Sequence, residues 1–136
     1  LRIGVFGLGI ELKGLVPKNL YTNTIYEDPI EKANYYAKLL KVEEKCNLVV
    51  CLSHLGYQYS EDKVSDVTMA AATENIDVIL GGHTHTFLDK PTVVKNKAGE
   101  DVLVNQVGCY GINVGRIDFY LDKNKTKSSQ GKSITV

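Results

Sequence analysis

The chain has little of several residue types that would narrow its function at once. Its 136 residues include no tryptophan, one methionine, and three each of cysteine, proline and histidine. An odd number of cysteines argues against a full disulfide framework, and the cysteine spacing does not match a usual zinc site. No apolar run approaches the roughly 20 residues of a membrane-spanning helix, so we expect no membrane span.

A surplus of charge is also missing. Lysine plus arginine and aspartate plus glutamate number 16 each, so the formal net charge is zero. We therefore expect no nucleic-acid polymer and no membrane surface as a partner. Hydrophobic residues make up 43% and charged residues 24%, which is ordinary for a globular protein with one core. The chain begins at Leu1 rather than at a methionine, so we expect an excised piece or a mature product.

Strand and helix patterns alternate in the first part of the chain. Asp28 suits a helix N-cap and Pro29 the first helical position. The patterns predict strands over residues 2–8, 47–53 and 77–80, and helices over residues 29–45 and 60–74. The second strand is apolar throughout, as expected when helices cover both faces of a sheet. This alternation predicts an α/β fold with parallel βαβ units and right-handed crossovers.

After residue 85 the helical patterns stop. Antiparallel strands are predicted over residues 92–96, 101–107 and 113–122, the first two joined by a hairpin turn. The segment 123–132 is polar and rich in lysine and serine, which predicts a loop or a frayed tail. We therefore divide the chain into a folded part, 1–122, and a polar tail, 123–136.

All three histidines directly follow predicted buried strands. His54 comes after the apolar run 48–52, and His83 and His85 come after the run 78–80. The carboxyl ends of parallel strands are where open α/β sheets bind ligands, and neutral imidazole is a common ligand of transition metals. If the backbone stays extended, His83 and His85 point to one side, and the glycines before them allow an ion or a phosphate to approach closely.

The competing interpretation is that these histidines are structural. A lone histidine near a strand end is more often a hydrogen-bonded structural residue than a ligand. The location of all three at two neighbouring strand ends favours a metal site with His54, His83 and His85 as ligands, their imidazoles converging. Asp66 and Asp77 are interpreted as structural, on a helix surface and at a strand entry.

Two short segments carry a resemblance to a known family. Ser-His-Leu-Gly at 53–56 and Gly-Gly-His-Thr-His at 81–85 resemble the last two metal-binding motifs of the calcineurin-like metallophosphoesterases. Flanking segments resemble the 5′-nucleotidase branch of that family, namely 28–30, 57–62, 106–108 and 111–117. The resemblance covers nearly the whole chain.

The resemblance implies a metal-dependent phosphoesterase that hydrolyses phosphate monoesters, with nucleotides as substrates. Its fold would be a four-layered α/β/β/α sandwich, of which residues 1–122 form the C-terminal half of the catalytic domain. His54 and His83 would share one divalent ion and His85 would hold its neighbour, the ions being zinc, manganese, iron or cobalt. Two such ions polarise a phosphoryl group and generate a hydroxide nucleophile. The parent protein would be exported to the periplasm or the cell surface.

The sequence also departs from the family pattern. The family's Asp-x-His motif, its bridging aspartate and its Asn-His pair have no counterpart here. The isolated chain is therefore expected to be inactive and to require the missing N-terminal half of the domain. The alternative is a non-catalytic half-sandwich that binds a partner or self-associates. A stand-alone flavodoxin-like domain with surface histidines is a third hypothesis, which leaves the co-location of the histidines unexplained.

Overall fold

The structure is a computed structural model that describes residues 1–122 and 127–136. In chain order the elements are β1 (Ile3–Leu8), α1 (Lys18–Tyr21), α2 (Pro29–Lys38), a π-helical turn (Leu39–Glu43), β2 (Leu48–Ser53), α3 (Asp66–Ala72), β3 (Val78–Leu80), β4 (Thr92–Lys95), β5 (Asp101–Asn105), β6 (Asn113–Leu121) and β7 (Lys127–Thr135). No helix within the described ranges is both long and apolar enough to cross a membrane.

The main sheet has five strands in the order β1-β2-β3-β5-β4. β1, β2, β3 and β5 run parallel, and β4 pairs antiparallel with β5 at the edge. The predicted α/β fold with parallel βαβ units followed by antiparallel strands is therefore confirmed. The predicted hairpin turn between β4 and β5 is confirmed as well, because Asn96 N donates to Glu100 O at 3.0 Å.

Helix α2 begins where the sequence predicts. Asp28 caps it by accepting a hydrogen bond from Glu31 N at 2.8 Å, and Pro29 occupies the first turn. The helix does not continue to residue 45, since it gives way after Lys38 to the π-helical turn. This turn places Leu40 so close to β1 that a Cβ on Gly4 would lie 2.9 Å from Leu40 Cβ. Glycine at that position therefore allows helix and strand to meet.

Helix α3 is shorter than predicted, because a different serine caps it. Ser65, rather than Ser60, forms a capping box in which Thr68 N donates to Ser65 Oγ and Ser65 N donates to Thr68 Oγ1. Two hydrogen bonds thus satisfy both ends of the first turn, and residues 60–64 stay outside the helix. The expectation that Asp66 lies on a helix surface is wrong, since Asp66 is fully buried.

The helices cover one face of the main sheet. The buried core includes Val49, Cys51, Ile79, Val102 and Val104 from the strands, with Ala33, Ala37, Met69 and Ala70 from the helices. The opposite face carries exposed apolar side chains, namely Ile3, Val5, Leu52, Leu80 and Val93. The expectation that helices cover both faces is therefore wrong for this chain, although the strands are apolar on both. Val78 and Leu103 on that side are nevertheless buried, so we give the name bare face only to the surface formed by the five exposed side chains.

The end of the chain differs from the predicted loop or frayed tail. Lys127–Thr135 form β7, which pairs antiparallel with β6 along its length, from Asn113 opposite Thr135 to Leu121 opposite Lys127. Much of this hairpin is exposed, which is compatible with the polar composition of β7. The backbone N–H and C=O groups of β7 find partners in β6 whatever side chains the strand carries. Residues 123–126 of the predicted tail lie outside the described residues.

Candidate metal centre

Two of the three histidines meet at the carboxyl edge of the main sheet. His54 directly follows β2, His83 follows β3, and these strands are parallel neighbours. The two imidazole centroids are 5.3 Å apart, with the rings inclined at 69° in an edge-to-face contact. The predicted juxtaposition of the two motifs is therefore present for this pair.

His85 lies apart from that contact. Its ring packs near Tyr110 instead, with 6.3 Å between the ring centroids. Across residues 1–122 and 127–136, no three histidine, cysteine, aspartate or glutamate side chains gather into a group that could hold a metal ion. The expected convergence of three imidazoles is not observed.

The backbone explains why His85 diverges. His83 has φ of 72° and His85 has φ of 53°, so both adopt the left-handed conformation. The expectation of an extended backbone with alternating side chains is therefore wrong here. A non-glycine residue in that region costs about 1–3 kcal/mol, and such residues cluster at functional sites. Two of them in one short loop require strong support from the surrounding structure.

The local electrostatics favour a neutral His83. Partial burial lowers its pKa, and the nearby charges of His54, Lys63 and His85 lower the pKa further. The neutral form keeps a free ring nitrogen lone pair, which is the state that binds a metal ion. The environment of His83 is thus compatible with a ligand.

Glycines allow the two histidine loops to approach each other. A Cβ on Gly82 would lie 3.1 Å from His54 Nδ1, tighter than an ordinary contact. Gly56 has φ of +98°, and a Cβ there would collide with the Tyr59 hydroxyl. A Cβ on Gly81 would collide with Asp66 Oδ2. Glycine at these three positions therefore lets the two loops pack against each other, and the expected approach of an ion or a phosphate to Gly81 and Gly82 stays a prediction.

Asp66 is a residue near the site that sequence reasoning placed wrongly. Ser53 Oγ donates to Asp66 Oδ1 at 2.5 Å and accepts from Leu55 N at 3.2 Å, so this pair fixes the turn that carries His54. Asp66 Oδ2 is buried with no hydrogen-bond partner within the described part of the chain. Burial raises the pKa of Asp66 to about 6, although the hydrogen bond from Ser53 acts in the opposite direction.

Gln106 is a second residue that sequence reasoning missed. It follows β5, is 2% exposed, and directs its amide at the loop that carries His83 and His85. A signal was available, since an amide side chain at the end of an apolar strand requires buried partners. The identity of those partners is not visible in the sequence, because they lie 20 or more residues away.

Comparison with known proteins identifies relatives of the whole chain. No family model matches it. The trifunctional nucleotide phosphoesterase protein YfkN of Bacillus subtilis is 31% identical over 135 residues, which is 99% of this chain and 9% of that protein. Among solved structures, a 5′-nucleotidase precursor from Thermus thermophilus matches at 33% identity with a TM-score of 0.69, over 80% of this chain and 23% of the other.

A structure of calcineurin-like phosphoesterase YfkN from Bacillus subtilis shares the fold. Its TM-score is 0.71 at 20% identity, over 98% of this chain and 44% of that one. The chain therefore spans less than half the length of each of these relatives. Over most of its length the chain is thus similar in sequence to nucleotide phosphoesterases and 5′-nucleotidases, and similar in fold to a calcineurin-like phosphoesterase.

Proposed function

We propose that this chain is part of a metal-dependent phosphoesterase of the 5′-nucleotidase type, which hydrolyses phosphate monoesters of nucleotides. The observation that carries the proposal is the contact between His54 and His83, 5.3 Å apart, at the carboxyl ends of adjacent parallel strands. Ligands bind at that edge in open α/β sheets. The similarity to nucleotide phosphoesterases over 99% of the chain supports the reaction class.

The donor set fits a transition-metal site. His54 and His83 would bind one ion, and His85 would bind its neighbour from the same loop. Bound there, divalent zinc, manganese, iron or cobalt supplies Lewis-acid polarisation of a phosphoryl oxygen and a hydroxide nucleophile. The histidines of this chain would hold the ions in a fixed orientation, and the absence of a side chain on Gly82 leaves room for the His54 ring.

Three neutral imidazoles bring no negative charge to offset two divalent ions. We therefore propose that the remaining ligands, a bridging carboxylate included, come from an N-terminal half of the catalytic domain. The bare face is where the second sheet of a four-layered sandwich would pack, because exposed apolar side chains gathered on one surface mark contact sites. Residues 1–122 would then be the C-terminal half of that domain, followed by segment 123–136. Export of the parent protein is proposed from the Thermus relative, which is described as a precursor.

The function is tested in the full-length protein that contains this chain. We expect His54→Ala and His83→Ala to deplete the same metal ion and to have strongly non-additive effects on hydrolysis of a nucleoside monophosphate. His85→Ala should deplete the other ion. Elemental analysis and steady-state kinetics measure both. The control is Lys95→Gln, at an exposed ion pair with Asp101 on the β4–β5 hairpin. Two metals per chain and near-normal rates in all three histidine variants would make the histidines structural.

The bare face also favours a second candidate function, a non-catalytic half-sandwich that self-associates. We expect the isolated chain to associate through this face, since apolar sheet surfaces and open strand edges recruit other chains. Leu52→Lys, on the bare face, should reduce the apparent mass in light scattering. Val42→Lys is the matched control, because Val42 is 54% exposed and lies on the π-helical turn. A strictly monomeric wild-type chain at high concentration would contradict self-association.

A further inference from the structure

The side chain of Gln106 binds the histidine loop at three alternate residues. Its Nε2 donates to Gly82 O at 2.8 Å. Its Oε1 accepts from Thr84 Oγ1 at 3.1 Å and from Thr86 N in a shorter contact. These three partners flank His83 on both sides and His85 on both sides. One buried amide thus fixes the backbone around both imidazoles.

The position of Gln106 follows from the sheet. β5 is the parallel neighbour of β3, and Gly81 N donates to Asn105 O at 2.8 Å where the two strands end. The next residue after Asn105 therefore lies directly beside the loop that leaves β3. Thr84 extends the connection further, because its Oγ1 also accepts from Tyr57 N at 3.0 Å. The network thereby reaches the segment that follows His54.

The loop needs such support, since regular secondary structure does not hold it. Both histidines are in the left-handed conformation, which an unsupported loop would leave for more favourable backbone regions. Each polar atom of the Gln106 amide has a partner in this loop, and the amide carries no charge that pH could change. These properties suit a residue that fixes the positions of His83 and His85 relative to each other.

We propose that Gln106 is the positioning residue that sets the spacing between the His83 and His85 imidazoles, and through it the affinity of the site for its metal ions. This inference rests on the proposed function. Groups that orient metal ligands typically affect metal affinity by roughly 10- to 100-fold when they are removed. Gln106 acts on the two histidines through the backbone on either side of each.

The test uses Gln106→Met in the full-length protein, because methionine keeps the length of glutamine and removes its hydrogen bonds. Titration of the metal-free protein with Co²⁺ measures affinity, and the visible absorption spectrum of bound Co²⁺ reports the coordination geometry. We expect a loss of Co²⁺ affinity of roughly 10- to 100-fold and an altered spectrum. Asn96→Leu is the matched control, since Asn96 is a buried amide that accepts from Ala98 N and Glu100 N in the β4–β5 turn. It should lower stability and leave Co²⁺ binding unchanged.

Thr84→Val provides a second variant that keeps the shape of the side chain and leaves Gln106 in place with its bonds to Gly82 O and Thr86 N. It removes the Thr84 hydroxyl, and with it the bonds to Gln106 Oε1, Thr86 Oγ1 and Tyr57 N. It should lower Co²⁺ affinity by a smaller factor than Gln106→Met does. If Gln106→Met does not fold, the inference is tested with Thr84→Val alone. Wild-type affinity and spectrum in a folded Gln106→Met protein, or in Thr84→Val if that variant alone folds, would overturn the inference. A wild-type protein that binds no metal and hydrolyses no nucleotide would instead overturn the proposed function.

Discussion

The two histidine loops are supported by opposite chemistry. The loop after β2 is fixed by a hydroxyl and a carboxyl group, through Ser53 and Asp66, whereas the loop after β3 is fixed by the neutral amide of Gln106. The first loop places a glycine, Gly56, in the left-handed conformation, while the second places its histidines there. The carboxyl group of Asp66 therefore titrates near pH 6 and the amide of Gln106 does not, although each holds a loop that carries candidate ligands of the same site.

Gly81 lies where the two supports meet, so its replacement should have the largest effect. A Cβ there would collide with Asp66 Oδ2 and lie 3.2 Å from Gln106 Nε2. Because both side chains are buried and cannot move aside freely, we expect Gly81→Ala to lower the free energy of unfolding by about 3 kcal/mol. Urea denaturation measures the change.

Gly9→Ala is the matched control for that substitution. Apart from its own and the two adjacent residues, no atom lies within 4 Å of a Cβ built on Gly9, so the effect of Gly9→Ala should stay within about 0.5 kcal/mol. Equal stabilities of the two variants would show that the supports do not meet at Gly81 as closely as the structure indicates.

The next largest effect is the pH dependence of the unfolding free energy that Asp66 causes. The pKa of Asp66 rises from 3.8 to about 6 on folding, so the folded state holds this proton more tightly than the unfolded chain. Stability from this group is fully present below about pH 4 and is lost as pH rises to about 6, a change of roughly 3 kcal/mol at most. Asp66→Asn removes the titration and keeps an acceptor for Ser53.

The measurement is the unfolding free energy of the metal-free chain at several pH values between 4 and 7. We expect Asp66→Asn to gain stability relative to wild type across that interval, by up to about 3 kcal/mol. Gln106→Met is the comparison, because its deficit should stay constant with pH. Parallel curves for wild type and Asp66→Asn would show that the first support does not titrate.

Local signals in the sequence were enough to predict much of the fold. The apolar runs predicted strands at 2–8 and 47–53, and the structure has Ile3–Leu8 and Leu48–Ser53. The prediction and the structure agree because a strand buried in a sheet is recognisable in the sequence as a short run of apolar residues. The contact of His54 with His83 was predictable for the same reason, since both residues follow such runs.

Features that depend on distant partners were not predictable. The cap of α3 is a separate case, because the reciprocal bonding that selects Ser65 over Ser60 is with Thr68, only three residues further on, and was a local signal that the choice of Ser60 overlooked. Gln106 acquires its role from Gly82, which lies 24 residues earlier in the chain. Polar composition likewise concealed β7, because its pairing depends on β6 rather than on its own side chains.

Of the substitutions Gly81→Ala, Asp66→Asn and Ser53→Ala, the last should change the free energy of unfolding least. It tests directly whether the two loops are held by different chemistry. It removes the hydroxyl that donates to Asp66 Oδ1 and accepts from Leu55 N, so neither carboxyl oxygen keeps a partner within the described part of the chain. A hydrogen bond to a charged acceptor contributes more than one to a neutral acceptor, roughly 1.5–3 against 0.5–1.5 kcal/mol. The loss of stability should therefore be about 1 kcal/mol at pH 4, where Asp66 is protonated, and about 2 kcal/mol at pH 7. Thr84→Val, which weakens the neutral support, should cost the same at both pH values. If denaturation gives Ser53→Ala an equal cost at pH 4 and pH 7, the carboxyl support does not depend on its charge and the two loops are held alike.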